Sequence, residues 1–396
     1  MSSEYRALLK KLKLTGPLAF VDLHKFDRNA KKMADLVRPS GLHIRVATKS
    51  LRVPELIQRV LNSDPIYRGL MCFSAQEALF LSEQGFNDFL IAYPTVCPQD
   101  LSALKKIHDQ GKEVYLVVDS IAHLEALSSI FQNSSRPFRV LFEVDLSLRL
   151  GPLVVGVRRS PLRTTEQVLE LVRHIQSISS LKFSGFMAYE AQVAGVGDRN
   201  PFKPLLSKLL KPLRHFSAKK IAQKREQLKS RILAEFPQTE FLFNGGGTGS
   251  LSFNLPENQT LTELTAGSGF YCPHLFDYYS NFNLEAAAFF ALQVVRQPEP
   301  HWFTCLGGGF IASGEPNWDR IPRPEANMKL SGFEAAGEVQ TPVYSRTENL
   351  AIGDSVIFRH AKAGELMERF NDVVLIQDGK VTANAKTYRG FGQCYF

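Results

Sequence analysis

The segment HIRVATKS, residues 43 to 50, begins as an alternating apolar strand and delivers a lysine, Lys49, at its end. A lysine is rarely buried, because taking its ammonium group out of water is costly unless the group is paired or loses its proton. Lys49 therefore either reaches water or a carboxylate, or uses its amine to form a Schiff base with a carbonyl compound. Other segments of the chain bear on this choice.

Two glycine-rich segments follow later strands, FNGGGTGS at residues 243 to 250 and TAGSGFY at residues 265 to 271. Such loops let backbone N–H groups approach a phosphate, and barrel proteins often bind phosphate after their last two strands. Tight turns also need glycine for steric reasons, so either loop alone is weak evidence. Two phosphate-suited loops opposite a strand-end lysine together indicate pyridoxal 5′-phosphate.

Strand and helix patterns alternate along most of the chain, which indicates a parallel sheet. Eight such units close a (β/α)8 barrel of the TIM type, whose strand ends hold the active site. The predicted strands cover residues 18–23, 43–48, 69–74, 88–93, 113–118, 138–145, 182–189, 240–244 and 262–266. Nine is one too many for the barrel. The first strand could pair elsewhere, which leaves eight from His43 to Ala266.

The pattern changes after about residue 275, where short strands are broken by Gly, Pro and Asp-Gly turns. Such a pattern predicts a second, mostly antiparallel β domain. We predict an N-terminal segment at residues 1–24 that is shared with the β domain, a cofactor-binding barrel at 25–272 and the β domain at 273–396.

The composition, with 44% hydrophobic and 22% charged residues, is typical of a soluble globular protein. No apolar stretch reaches the ~18 residues of a membrane span, and the first residues lack the apolar core of a signal peptide. The five cysteines are scattered and form no CxxC pair, which favours a reducing compartment and argues against a thiolate zinc site. We therefore expect a cytoplasmic protein without a membrane partner.

The net charge of +8 originates in one segment. Residues 203 to 231 hold ten basic side chains and one acidic side chain, so the rest of the chain is near −1. Leu and Ile at helical spacing predict an amphipathic helix with a solvated basic face. Binding of a phosphate backbone or an anionic membrane is the alternative, but the interleaved aromatic residues that favour single-stranded nucleic acid are missing. We expect no nucleic-acid partner.

Five segments also carry a family resemblance: VDLHKFDRNAKKM, RVATKS, EVDLSLRLG, FNGGGTGS and ELTAGSGFY. In order and approximate spacing they resemble the fold-type III pyridoxal-phosphate enzymes, most closely the D-threonine aldolase and D-serine dehydratase branch. The C-terminal stretches GEVQTP and RHAKAGE resemble its amino acid deaminase/aldolase subgroup, so the similarity spans nearly the whole chain. Single-domain relatives without known catalysis lack a β domain, and its predicted presence here favours an enzyme.

The resemblance implies roles for individual residues. Lys49 would form the Schiff base with the cofactor, and Arg149 would approach the O3′ side of the cofactor ring, unless it is a surface arginine. Tyr189 would line the cofactor, although a packed core tyrosine fits the same pattern. The phosphate cradle would consist of Gly246, Gly247, Thr248, Gly249, Ser268 and Gly269.

Relatives in this branch carry a histidine and, two residues later, an aspartate or cysteine that bind a divalent metal ion near the substrate hydroxyl. Here His360 stands in the first place but Lys362 in the second, and a charged ammonium group cannot ligate a cation. His360 is thus a candidate metal ligand whose second protein ligand is unknown. Glu365 or Glu368 could complete the site, or Lys362 could itself act as the cation that polarises the hydroxyl.

These expectations predict a pyridoxal-phosphate-dependent lyase that cleaves a small, D-threonine-like β-hydroxy D-amino acid to glycine and an aldehyde. In the alternative, dehydration of D-serine or a similar substrate, Lys49 would remove the α-proton. An amino acid racemase and a non-catalytic cofactor-binding or nucleic-acid-binding protein are further alternatives. The resemblance also implies a homodimer in which each β domain approaches the barrel of the other chain.

Overall fold

The computed structural model describes residues 2–257, 259–281, 283–325 and 327–395, so the predicted domain limits at residues 1 and 396 lie outside it. In chain order the strands are β1 Leu18–Asp22, β2 His43–Ala47, β3 Tyr67–Cys72, β4 Phe89–Ile91, β5 Val114–Val118, β6 Phe138–Glu143, β7 Leu148–Leu150, β8 Leu153–Val155, β9 Leu181–Met187, β10 Leu242–Gly245, β11 Glu263–Ala266, β12 Ala288–Arg296, β13 Trp302–Leu306, β14 Arg323–Pro324, β15 Lys329–Leu330, β16 Gln340–Tyr344, β17 Ser355–Arg359, β18 Asp372–Gln377 and β19 Lys380–Lys386. The α-helices are α1 Ser2–Lys11, α2 Leu23–Val37, α3 Pro54–Ser63, α4 Ala75–Glu83, α5 Pro98–Asp109, α6 Ile121–Phe131, α7 Thr165–Gln176, α8 Ala191–Ala194, α9 Pro204–Glu235, α10 Leu251–Asn254 and α11 Ser268–Tyr271.

Eight parallel strands of the described chain close into a barrel, in the order β2, β3, β4, β5, β6, β9, β10 and β11. The barrel closes where β11 pairs with β2, with Thr265 opposite Arg45. Side chains alternate between the outer helices and the barrel interior, where Leu90, Val117 and Leu141 pack together. The predicted barrel, and its eight strands between His43 and Ala266, are confirmed.

Strand β1 lies outside the barrel, in the sheet of the β domain. It pairs antiparallel with β12 and parallel with β18, within a sheet of nine strands among the described residues. Phe20 of β1 stacks on Phe289 of β12 with ring centroids 5.4 Å apart, and Tyr5 of α1 packs against both rings. The remaining pairs in this sheet are antiparallel, which confirms a mostly antiparallel β domain. The surplus strand of the sequence pattern is therefore part of that domain's sheet.

Two other features bear on the site. An antiparallel hairpin, β7 and β8, follows barrel strand β6, and its three-residue strands are too short to show a period in the sequence. The basic segment forms α9, a helix of 32 residues between β9 and β10. No helix in the described ranges, α9 included, has the length and apolar character to cross a membrane.

Candidate active site

A cavity of about 560 Å³ opens at the C-terminal ends of the barrel strands. Strand-end side chains such as Ala47, Met71 and Thr265 form its floor. The two glycine-rich loops form one wall, and Ser313 and Arg320 of the β domain form another. This is the end of a parallel barrel at which active sites lie.

Lys49 lines this cavity, one short turn beyond β2, and its side chain is exposed there. Its Nζ donates a hydrogen bond to Tyr93 Oη, 2.9 Å away. Burial alone would raise the pKa of Tyr93, but the nearby charges of Lys49 and Arg159 together outweigh burial and lower it. The amine and the phenol are therefore arranged to share and transfer a proton.

The β domain holds the backbone of Lys49 in place. The carbonyl oxygen of Lys49 accepts a hydrogen bond of 3.0 Å from Arg52 Nε, and Arg52 Nη1 lies 2.6 Å from Glu368 Oε1 of the β domain. Gly364 packs directly on the same carbonyl at a φ of +89°, and any Cβ there would overlap the Lys49 oxygen. The position of the cavity lysine thus depends on both domains.

A threonine hydroxyl joins the two glycine-rich loops. Thr248 Oγ1 accepts hydrogen bonds from the backbone N–H groups of Gly267, at 3.3 Å, and Gly269, at 3.2 Å. Gly246 begins the first loop at a φ of +89°, which residues with a Cβ rarely adopt, and a Cβ at Gly249 would overlap neighbouring backbone. The two loops, which residues 251 to 264 separate in the sequence, therefore form one surface, as a phosphate cradle would require.

Most of the predicted cradle faces the cavity. Gly246, Gly247, Thr248, Gly249 and Ser268 line it, whereas Gly269 lies behind the described lining and supports Thr248. The hydroxyl oxygen of Ser268 lies 3.3 Å from that of Ser50. Backbone and hydroxyl groups of this kind bind phosphate without a dedicated cation.

The cavity also suits an anionic aromatic ligand. Tyr189 lines it beside Gly247, and burial raises the pKa of Tyr189, so its phenol stays protonated near neutral pH. One acidic residue, Asp319, is found in the described lining. The basic residues of the lining are Lys49, Arg159, Lys203, Arg320 and Lys362. The residues present therefore fit pyridoxal phosphate in shape, donors and charge.

The structure brings Arg159, rather than Arg149, to the cavity. Arg149 lies in the β7 strand with a side chain that is 38% exposed, its Nη2 is 3.5 Å from Asp145 Oδ2, and it is not part of the described lining. Arg159 Cζ lies 5.8 Å from the ring centroid of Tyr93 and 5.9 Å from that of Tyr189. The role of Arg149 at the cofactor stays a prediction that this position does not support.

His360 lies outside the main cavity, fully buried beside a separate space of about 20 Å³. Burial lowers its pKa to about 3, so the imidazole is neutral at pH 7. Glu365 borders the same small space, whereas Glu368 pairs with Arg52. Within the described ranges no three His, Cys, Asp or Glu side chains could hold a metal ion together. These residues do not fit the metal site of the relatives, and the role of His360 stays a prediction.

Lys362 faces the main cavity from the β domain. Its Nζ donates a 2.6 Å hydrogen bond to Ser313 Oγ and lies 3.9 Å from Glu365 Oε1. Partial burial lowers the pKa of Lys362, Glu365 opposes that change, and the charges of Lys49 and Arg320 add to it. An ammonium group thus stands where the resemblance would place a second metal ligand.

Sequence reasoning missed several lining residues. Tyr93 ends the predicted strand at residues 88–93, so its position at a strand end could have marked it. Arg159 and Ser313 lie in irregular segments, and Arg320 ends a three-residue 3₁₀ helix, Trp318–Arg320. Such segments are too short or too irregular for a periodic pattern to show which way a side chain faces.

Comparison with known proteins supports the class that this fold and cavity define, the fold-type III pyridoxal-phosphate proteins. The model of the family "Alanine racemase, N-terminal domain" matches residues 21–228, more than half of the chain, and the chain belongs to that family. Membership implies pyridoxal phosphate as the cofactor and confirms the resemblance seen in the sequence.

Curated relatives match over part of their length. The chain is 25% identical over 252 residues to a 3-hydroxy-D-aspartate aldolase of Paracoccus denitrificans (strain Pd 1222), covering 64% of this chain and 59% of that protein. It is 26% identical over 136 residues to a D-threo-3-hydroxyaspartate dehydratase of Delftia sp. (strain HT23), covering 34% of each. The matches therefore span about three-fifths and one-third of these relatives.

Solved structures share the whole architecture. A D-threonine aldolase from Filomicrobium marinum superposes with a TM-score of 0.79 over 96% of both chains, at 18% identity. The dehydratase from Delftia sp. HT23 gives 0.70 at 17% identity, over 95% of this chain and 98% of that one. At these identities the likeness establishes the fold, including the pairing of a barrel with a β domain.

Proposed function

We propose that the protein is a pyridoxal-phosphate-dependent lyase that cleaves a small, D-threonine-like β-hydroxy D-amino acid to glycine and an aldehyde. The observation that carries this proposal is the Lys49–Tyr93 pair, which faces the same cavity as the two joined glycine-rich loops. The relatives named as aldolases favour cleavage of a carbon–carbon bond.

Pyridoxal phosphate, when bound, supplies an aldehyde that condenses with amines and a ring that withdraws electrons from the α-carbon of an attached amino acid. Lys49 is the residue whose amine would hold it covalently. Thr248, Gly249 and Ser268 would hold its phosphate, and Tyr189 and Arg159 would lie beside its ring. The roles of these residues are part of the proposal.

Lys49 and Tyr93 carry out the proton transfers. With its amine not engaged by the cofactor, Lys49 would act as a base together with the Tyr93 phenol, to which its Nζ donates a 2.9 Å hydrogen bond. This pair accepts the proton of the β-hydroxyl as the Cα–Cβ bond breaks, and an aldehyde leaves. It then returns a proton to the α-carbon, which gives glycine.

Lys362 and Arg320 act at the β-domain side of the cavity. Lys362 is already held by Ser313 Oγ, and Arg320 Nη1 donates to the Ser313 carbonyl oxygen at 3.3 Å. Two fixed cations at this place would bind the substrate carboxylate and stabilise negative charge on the β-oxygen. No metal is required for either task.

Dehydration is the second candidate function, and the position of Lys362 favours it. A hydrogen-bonded ammonium group facing the β-oxygen also assists the departure of hydroxide. In that reaction Lys49 would remove the α-proton, and the products would be a keto acid and ammonia. The relative from Delftia sp. is named as a dehydratase.

The products formed from a short series of substrates separate these functions. The purified protein, supplied with pyridoxal phosphate, is incubated with D-threonine, 3-hydroxy-D-aspartate and D-serine in turn. Glycine with an aldehyde supports the lyase, whereas a keto acid with ammonia supports the dehydratase. Chiral analysis of D-alanine in the same assay tests racemisation. Unchanged substrates in all four assays would contradict the proposal.

We also propose that the protein forms a homodimer. Apolar side chains near the cavity are exposed in the single chain, including Phe202, Leu205 and Leu209 around the start of α9 and Ile311 and Trp318 in the β domain. A second copy would bury them near the cavity. Light scattering should give twice the chain mass of 44.4 kDa, and a monomer at all concentrations would refute the proposal.

A further inference from the structure

Helix α9 carries the excess positive charge of the chain, yet its two arginines in the middle of the segment are buried. The lysines Lys208, Lys211, Lys219 and Lys220 are exposed, as the sequence predicts for a solvated helix. Arg214 and Arg225 are only 2% and 0% exposed and are among the largest fully buried side chains of the described residues. A buried arginine is retained where its several donors are used, so their partners are informative.

Arg225 holds the start of the first glycine-rich loop through a carboxylate. Its Nη2 donates to Glu190, which is itself buried, and its Nη1 donates to Glu257 Oε1 at 2.9 Å. Glu190 Oε2 accepts the backbone N–H of Gly246 at 3.2 Å, and its Oε1 accepts the hydroxyl of Ser250. One ion pair therefore anchors residues on both sides of the loop.

Arg214 holds the other end of the loop directly. Its Nη2 donates to the carbonyl oxygen of Gly249 at 3.0 Å, and its Nε donates to the carbonyl oxygen of Val193 at 3.1 Å. The guanidinium packs on the rings of Phe253 and Tyr279, with Cζ 4.8 Å and 5.3 Å from their centroids. This planar group joins the segment after β9 to the loop after β10.

Each guanidinium already has a carboxylate partner, Glu190 and Glu257 for Arg225 and, at 3.7 Å, Asp198 for Arg214. Neither therefore adds a free positive charge to the cavity. Their effect on a bound phosphate must come from the shape that they impose on the backbone of residues 246 to 250. Bidentate and multidirectional donors suit this task, and lysine cannot replace them.

We infer that Arg214 and the Arg225–Glu190 pair are positioning residues that clamp the glycine-rich loop from behind and thereby set the affinity for the cofactor's phosphate group. This inference rests on the proposed pyridoxal-phosphate site. It gives the basic helix a role in cofactor binding, with the exposed lysines left as its solvated face. Because the clamp acts on the phosphate end alone, it should not affect binding of the rest of the cofactor.

The test compares pyridoxal phosphate with pyridoxal, which lacks the phosphate. Dissociation constants for both are measured by absorbance titration on wild type, Arg214→Lys, Glu190→Gln and the surface control Lys220→Ala. We expect the dissociation constant for pyridoxal phosphate to rise tenfold or more in the first two variants. The constant for pyridoxal should stay within about twofold of wild type, and Lys220→Ala should change neither.

The outcomes separate this inference from the proposed function. Equal weakening of both ligands, or no change for either, in a folded variant would overturn the clamp while the site itself stands. Wild type that fails to bind pyridoxal phosphate would refute the proposed function, and the clamp with it. Circular dichroism and thermal unfolding establish which variants are folded. If Arg214→Lys does not fold, the test rests on Glu190→Gln, which keeps the size of the side chain.

Discussion

The two ends of the cavity present different chemical groups, backbone at one end and charged side chains at the other. The phosphate end consists of backbone at Gly246 to Gly249, held from behind by buried residues such as Arg214 and Glu190. The β-domain end consists of half-exposed charged side chains, with Lys362 45% exposed and held by Ser313. A backbone cradle suits the constant part of the ligand, and a partly exposed, charged end suits the substrate. Changes at the two ends should therefore affect different measured quantities.

The largest effect is expected at Lys49, which lies between the two ends. Lys49→Ala removes both the covalent attachment and the base, so the rate of product formation should fall about 10³-fold or more. Lys182→Ala, an exposed lysine at the opposite end of the barrel, is the matched control and should leave the rate unchanged. A Lys49→Ala rate within tenfold of wild type would show that another group does the chemistry.

The buried carboxyl group of Glu77, which interacts with Thr48 and Arg52 on either side of Lys49, should make the stability depend on pH. Glu77 accepts hydrogen bonds from the Phe73 N–H at 2.7 Å and from Tyr388 Oη of the β domain at 2.8 Å. Burial raises the pKa of Glu77 from 4.5 to about 7, although Thr48 and Arg52 oppose the rise. Between pH 4.5 and about 7 the folded state therefore binds more protons at Glu77 than the unfolded state does. The free energy of unfolding should fall as the pH rises through this range.

Glu77→Gln tests this dependence, because glutamine keeps the shape without the titration. Wild type should lose about 3 kcal/mol more than the variant in unfolding free energy between pH 4.5 and pH 8. Urea unfolding across this range gives the difference directly. Parallel pH profiles for the two proteins would mean that Glu77 does not titrate in this window.

Lys362→Met should lower kcat/KM for the substrate without changing the affinity for the cofactor. A hydrogen bond to a charged group contributes about 1.5–3 kcal/mol, so kcat/KM should fall roughly 10- to 100-fold. The dissociation constant of pyridoxal phosphate should change less than about twofold, since Lys362 lies at the other end of the cavity from the glycine-rich loops. Loss of cofactor affinity with normal kcat/KM would reverse the assignment of the two ends.

The smallest effect is expected from metal removal. His360 is buried outside the main cavity, and Lys362 stands where a second ligand would be needed. Prolonged dialysis against a chelator should leave kcat within about twofold of the untreated protein. Activity that disappears on chelation and returns with a divalent ion would show that a metal site forms around these residues after all.

The sequence predicted the barrel because eight apolar strands repeat one local pattern. The glycine-rich loops were visible because their glycines cluster within a few residues after two of these strands. The clamp was not predictable in this way. Arg214 and Arg225 occur in a helix whose other basic residues are largely solvated, and their burial depends on carboxylates such as Glu190, Asp198 and Glu257 that are distant in sequence. Arg159 was missed because the short hairpin β7–β8 redirects the chain before it.

The most direct test of the proposed cofactor site compares Lys49 of the barrel with Lys362 of the β domain, both of which face the cavity. The protein is incubated with pyridoxal phosphate, reduced with borohydride, digested and analysed by mass spectrometry. We predict a phosphopyridoxyl group on the peptide that contains Lys49 and none on the peptide that contains Lys362. A modification confined to Lys362, or an unmodified Lys49 peptide, would contradict it.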